Sequence, residues 1–151
     1  MSVRQNIITA LDTRLKTIKT SNGYNTNIGE RVYEWRAIDI EKETLDCISY
    51  QDPSSELIAP FEENDNADET YHYKKLTVHI YMLTSGTTAN AKLRLMIEDI
   101  LTAIGTDTTF SNTAGKTTLE GDTTEIEQDN KKYGGTRITI LIEYKTLAWK
   151  D

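Results

Sequence analysis

The chain has one cysteine, Cys47, among its 151 residues, so it can form no disulfide within itself and no cysteine metal cluster. Prolines number two, Pro53 and Pro60, and both fall in one stretch. Histidines also number two, His72 and His79. Seven positions separate them, so on one extended strand they point to opposite faces and build no shared site. A serine or cysteine nucleophile would need one of them as its base. Apolar residues make up 37%, below the usual ~45–50%, and mean hydropathy is −0.55. No apolar run approaches the ~20 residues of a membrane helix. Met1-Ser-Val-Arg-Gln-Asn has neither the charged start nor the apolar centre of a secretory signal, so the expectation is a cytosolic chain. Basic residues are the minority, 17 against 24 acids, a net charge of −7. That balance argues against a nucleic-acid-binding module, which needs a basic footprint.

Charge is also unevenly spread. Residues 30–69 hold thirteen acids and three bases, a net of −10, which leaves +3 for the rest. A solvated acidic loop is one explanation. The other is a face that meets a basic surface on a neighbouring copy, as a head-to-tail ring allows.

What is present is periodicity. From Gly134-Gly135 onward, Ile138, Ile140, Ile142 and Tyr144 alternate with Arg137, Thr139, Glu143 and Lys145, with Leu141 the one apolar exception. Leu76, Val78, Ile80 and Met82 alternate in the same way with Lys75, Thr77, His79 and Tyr81. Period-2 patterns of this kind are strands with one buried face. Two helices are available to cover that face. Val3, Ile7, Leu11, Leu15 and Ile18 recur at helical spacing behind a Ser2/Gln5 capping pair, with Ser21-Asn22-Gly23 as the stop. Leu93, Met96, Ile97, Ile100, Leu101 and Ile104 follow the amphipathic template up to Gly105.

Shorter strands are read at Arg31–Ile38 and Leu45–Tyr50, forming a meander with the Tyr71–Leu83 strand, and an exposed or edge strand at Lys116–Glu127. The order is α-β-β-β-α-β-β. The expected fold is a single α+β domain over residues 1–151. Its sheet is predominantly antiparallel or mixed, with four to five strands and both helices on one face. Gln51–Thr70 is read as a long acidic loop containing the apolar patch Leu57-Ile58-Ala59-Pro60-Phe61 next to Glu62 and Glu63. The patch either folds back on its own domain or docks on a neighbour.

Chemical motifs are weak. Gly115-Lys116-Thr117 echoes a phosphate loop, but the required earlier glycine is Phe110, and a β-branched run follows where a helix is needed. Asn64-Asp65-Asn66-Ala67-Asp68-Glu69 offers oxygens for calcium yet lacks the glycine and final glutamate of an EF-hand loop. Cys47 in a short strand reads as a small buried hydrophobe. No catalytic residue, cofactor or metal is expected.

Several stretches, taken in order, resemble the tail terminator (tail completion) proteins of long-tailed bacteriophages. They are the first helix leading into Gly23-Tyr24-x-Thr26-x-x-Gly29-x-x-Val32, then Tyr50-Gln51-Asp52, and the strand from Tyr73 to Ile80. Asp99-Ile100-x-x-Ala103-Ile104 and Gly135-x-Arg137-Ile-x-Ile-x-Ile-x-Tyr144-x-Thr146 complete the set. The family often has a proline before its second strand, where this chain has Thr44-Leu45-Asp46. The resemblance implies a non-enzymatic virion protein, assembled in the host bacterial cytoplasm. It would form a ring, usually hexameric, at the head-proximal end of the tail tube. Its partners would be its own copies, the tail tube protein, and a head connector or neck protein, with no direct nucleic-acid recognition and no membrane. The acidic loop, with Leu57, Ile58, Pro60, Phe61, Glu62 and Glu63, is the expected subunit contact. Arg4, Arg14, Lys16 and Lys19 on the first helix, or Lys131 and Lys132 before the last strand, are its expected basic partners. The alternatives are another ring protein of the phage neck or tail (a head-completion or tube subunit), or a small ligand-binding or hydrolase domain.

Overall fold

A computed structural model describes residues 1–37, 45–58, 71–128, 130–147 and 151. The order is α1 (Val3–Leu15), β1 (Val32–Glu34), β2 (Cys47–Leu57), β3 (Tyr71–Ser85), α2 (Ala89–Gly105), β4 (Lys116–Gln128) and β5 (Lys132–Leu147). Two 3-10 turns, Thr20–Asn22 and Ile28–Glu30, stand between α1 and β1. The strands form one mixed sheet in the order β1-β2-β3-β5-β4. All neighbours are antiparallel except β1 with β2.

The core lies between the helices and the even-numbered side of the two central strands. Leu76, Val78, Ile80 and Met82 of β3 and Ile138, Ile140, Ile142 and Tyr144 of β5 share one buried cluster with helix residues. Those are Ile7, Leu11 and Leu15 of α1 and Leu93, Met96 and Ile100 of α2. Ile97 is partly buried and Leu101 is 36% exposed, so the core-facing stripe of α2 runs through Leu93, Met96, Ile100, Ala103 and Ile104. This corrects the placement of Leu101 in the core. A stripe six residues wide exceeds the arc one helix buries against a sheet, and its flank turns outward. Ile100 has no exposed surface. Ile100→Ala is expected to lower the free energy of unfolding by ~2–5 kcal/mol in urea titration, and a loss below about half a kcal/mol would contradict the packing.

Other boundaries differ from the sequence reading for identifiable reasons. Ser2 caps α1 through its hydroxyl, which accepts from the Gln5 N–H at 3.0 Å. The helix ends at Leu15, however, and Gly23, at φ 88°, closes the 3-10 turn after it. The Arg31–Ile38 strand shrinks to Val32–Glu34 because Trp35 turns out of the strand at φ 52°. Ile38 lies outside the described residues. β1 is parallel to β2, so these strands do not make a meander.

The Gln51–Thr70 loop is also corrected in its first part. β2 continues through a register shift between Gln51 and Ser54 as far as Leu57. Pro53 sits at that irregularity, beyond the end of β1, where no ladder partner needs its missing N–H. The rest of that stretch, with Pro60, Phe61, Glu62, Glu63 and the Asn64–Glu69 oxygens, lies outside the described residues. β4 is an edge strand with most of its residues exposed.

Candidate functional site

The expected contact residues divide by location. Leu57 ends β2 opposite Lys74 and is 50% exposed; Ile58, whose N–H donates to the Tyr73 carbonyl, is 43% exposed. They do not fold back into the core. They share one end of the sheet with three other exposed apolar side chains: Tyr71, Tyr73 and Leu147. Tyr71 pairs with Leu147, and the Lys145 ammonium lies 3.8 Å from the centre of the Tyr71 ring. An ammonium over a ring face holds the ring while leaving its outer side to solvent.

The expected basic partners are not gathered at that end. Arg14 is turned toward the end of α2. Its Nη1 donates to the carbonyls of Ala103 at 3.1 Å and Asp107 at 3.2 Å, and its Nη2 lies 3.5 Å from the Asp107 carboxylate. A cation there satisfies the free carbonyls at the end of α2 and complements the helix dipole. Lys16 is exposed but pairs with Asp12 at 2.6 Å, one turn back. Lys131 stands over the Tyr133 ring, and Lys132 reaches the Thr87 carbonyl at 3.5 Å. Lys132 begins β5, while Tyr144, beside Lys74 and Leu57, is twelve residues on. Twelve residues of strand span ~40 Å, so Lys131 and Lys132 occupy the opposite end of the sheet from Leu57 and Ile58.

Several polar positions make contacts that the sequence does not announce, although Thr26, Tyr50, Asp52, Asp99 and Tyr144 stand within the stretches that carry the resemblance. Asp99, 2% exposed on α2, grips the loop after Gly23. One carboxylate oxygen accepts from the N–H and side-chain amide of Asn25 at 2.9 and 3.0 Å. The other accepts from the N–H and hydroxyl of Thr26 at 2.8 and 2.6 Å. Asp52, at the β2 irregularity, accepts from Arg4 Nε at 2.7 Å and from the Trp35 indole N–H at 2.8 Å. Tyr50 donates to Asp12 at 3.0 Å. Burial, with the negative charge of Asp12 next, pushes its phenol well above the ordinary range. Burial likewise raises Tyr144 to about 12. Hydrogen bonds from Thr109 and Ser111 hold Asp107 down to about 2.

His72 and His79 lie on opposite faces of β3. Burial, and then the nearby Arg137, lowers His79, whose ring nitrogen meets the Thr139 hydroxyl at 2.9 Å. Cys47 is buried. Lys116 opens a strand, not a helix. Among the described residues, no three His, Cys, Asp or Glu side chains are grouped to hold a metal ion. Among them, no helix is long and apolar enough to cross a membrane. An open groove of about 590 Å³ lies on the odd-numbered side of the sheet, lined by Trp35, Arg36, Gln51, Tyr81, Glu125 and Arg137 among others. No family model matches the chain, and no curated protein matches it.

Proposed function

We propose that this chain is a structural virion protein of a long-tailed bacteriophage. In this reading its copies close into a ring, hexameric by the resemblance, at the head-proximal end of the tail tube. The ring ends tube polymerisation and offers the head connector a surface. Both helices cover one side of the sheet, and the other side and the strand ends are left for neighbours. The observation that carries the proposal is the apolar end of the sheet. Leu57, Ile58, Tyr71, Tyr73 and Leu147, each 41–50% exposed, share that end next to the acidic 59–70 segment, with Tyr71, Tyr73 and Leu147 on the odd-numbered face, Ile58 bonded to Tyr73, and Leu57, opposite Lys74, on the other face. A grouped apolar surface next to concentrated charge is the composition of a subunit contact.

Exposed ion pairs contribute only ~0–1 kcal/mol each and are screened by salt, so the apolar patch supplies the affinity and charge sets the register. Replacing Leu57, Ile58 and Phe61 together with serine is expected to leave a folded monomer that no longer caps tails. Native mass and electron microscopy of the purified protein check the ring, and tail length in reconstituted assembly checks the capping. Rings of unchanged stability in the triple variant would remove this surface from the interface.

A ligand-binding domain is the second reading, favoured by the groove between Trp35 and Arg137. A tube subunit is disfavoured by helices of 13 and 17 residues in a chain this short.

A further inference from the structure

Among the described residues the sheet ends in two open edges. One is β4, which pairs only with β5. The other is composite. β1 covers β2 at Ile48–Tyr50, and from Ser54 to Leu57 β2 pairs with β3 alone. The outward N–H and C=O groups of such strands are a template for another strand.

We infer that neighbouring copies join through these two edges, β4 of one copy lying antiparallel against the β1–β2 edge of the next. The inference rests on the ring reading and names the contact within it. Strand polarity is the first support. β4 opposes β5, β5 opposes β3, and β3 opposes β2, while β1 runs with β2. Within one chain β4 therefore runs opposite to both strands of the far edge. A rotation about an axis along the strands preserves their direction, so successive copies meet in the antiparallel arrangement, the more stable of the two.

Charge is the second support. The register places Glu56, Lys75, Glu143 and Lys116 in one row across β2, β3, β5 and β4. Their signs alternate along the row. A second copy set level with the first puts its Glu56 next to Lys116, which continues the alternation across the junction. Cross-strand pairs of opposite charge are favourable neighbours. Higher in the sheet, Val32, Ile48, Met82, Thr136 and Thr124 share a row, which sets Arg31 of the next copy level with Glu125. Glu34 against Asp122 is a like-charge crossing in the same register.

Pairing of β4 with its own copy is opposed by its charge. The strand carries Glu120, Asp122, Glu125 and Glu127 against the single Lys116. Two unlike edges also give a heterologous contact, the kind that closes into a ring of more than two copies.

The test is a chain carrying Glu56→Cys and Lys116→Cys. Within one chain these positions are three strand spacings apart, ~14 Å, beyond the ~7 Å between α-carbons that a disulfide spans. The native Cys47 is buried, so a crosslink between the new cysteines joins two copies. Mild oxidation is expected to give a ladder of covalent multimers on non-reducing gels, while either single-cysteine variant gives nothing beyond dimers. Amides of residues 116–128 are expected to exchange more slowly in the assembled wild type than in its monomer. Multimers that remain uncrosslinked, with exchange in β4 as fast as in the monomer, would overturn the edge contact and leave the ring reading standing. Absence of multimers at every concentration and on isolated tails would overturn both.

Discussion

Asp99→Ala is expected to destabilise the fold by about 3–5 kcal/mol, the range for removing one side of a buried, charged hydrogen-bond cluster. Asp99 is 2% exposed and accepts from four donors of Asn25 and Thr26. The substitution removes every acceptor in that set and leaves two backbone N–H groups without their partner. Urea unfolding of wild type and variant measures the loss. Hydrogen exchange localises it, with amides 24–31 exchanging far faster in the variant and those of β3 and β5 shifting only with global stability. Asp99→Asn is the informative control. Its amide keeps one acceptor oxygen but turns an NH2 group toward donors, so it should recover less than half of the loss. A cost below about 1 kcal/mol for Asp99→Ala would mean that the loop is held by other contacts.

Much of the sheet was legible because its central strands follow the simplest rule. β3 from Leu76 and β5 from Gly134 bury every second residue, with Thr139 the one extra buried position, and sequence alternation reports that directly. α2 was legible for the same reason, apart from Leu101. The edges were harder. β1 has three residues, too few for a period to emerge, and its end is set by the backbone turn at Trp35. β2 is covered on both sides from Cys47 to Tyr50, so its pattern is continuous burial, not alternation. Its second half passes through Pro53, a residue that ordinarily argues for a loop.

The polar contacts were illegible because their partners are far apart in sequence. Arg14 looked like a free surface cation, yet it closes the end of a helix 89 residues away. Asp99 sits next to Ile100 in an apolar stripe, and an acid in that position is the one available signal of a buried anchor. Its partners lie 73 and 74 residues earlier, and although Thr26 stands in the Gly23–Val32 stretch of the resemblance, nothing there ties it to Asp99. The grouping of Leu57 and Ile58 with Tyr71, Tyr73 and Leu147 needed the register of three strands. By sequence alone the first two fall in a loop.

The loop that Asp99 holds is fixed at its other end by Gly29, and Gly29→Ala is expected to cost about 2–4 kcal/mol. A β-carbon added there would lie 2.6 Å from the Ile18 carbonyl oxygen, 2.7 Å from that of Leu15 and 2.8 Å from the Ile18 nitrogen. All three are backbone atoms, so no side-chain rotation relieves the contact. The chain must move away, which strains the packing by ~1–3 kcal/mol. It also pulls the Gly29 N–H from the Ile18 carbonyl, a 2.9 Å bond whose loss adds ~0.5–1.5 kcal/mol. Gly29 lies in the 3-10 turn that delivers the chain to β1, so the displacement carries into the sheet edge beyond it. The expected signature is a lower urea midpoint with an unchanged slope. It should be accompanied by faster exchange at residues 28–34. Gly29→Ala and Asp99→Ala release the same segment from α1 and α2, and once it is free the second change has less to remove. The double variant should therefore fall short of the summed losses by at least about 1 kcal/mol. Strict additivity would show that the two anchors hold independent pieces of the chain, and full stability in Gly29→Ala alone would show that the backbones of Gly29 and Ile18 are not in contact.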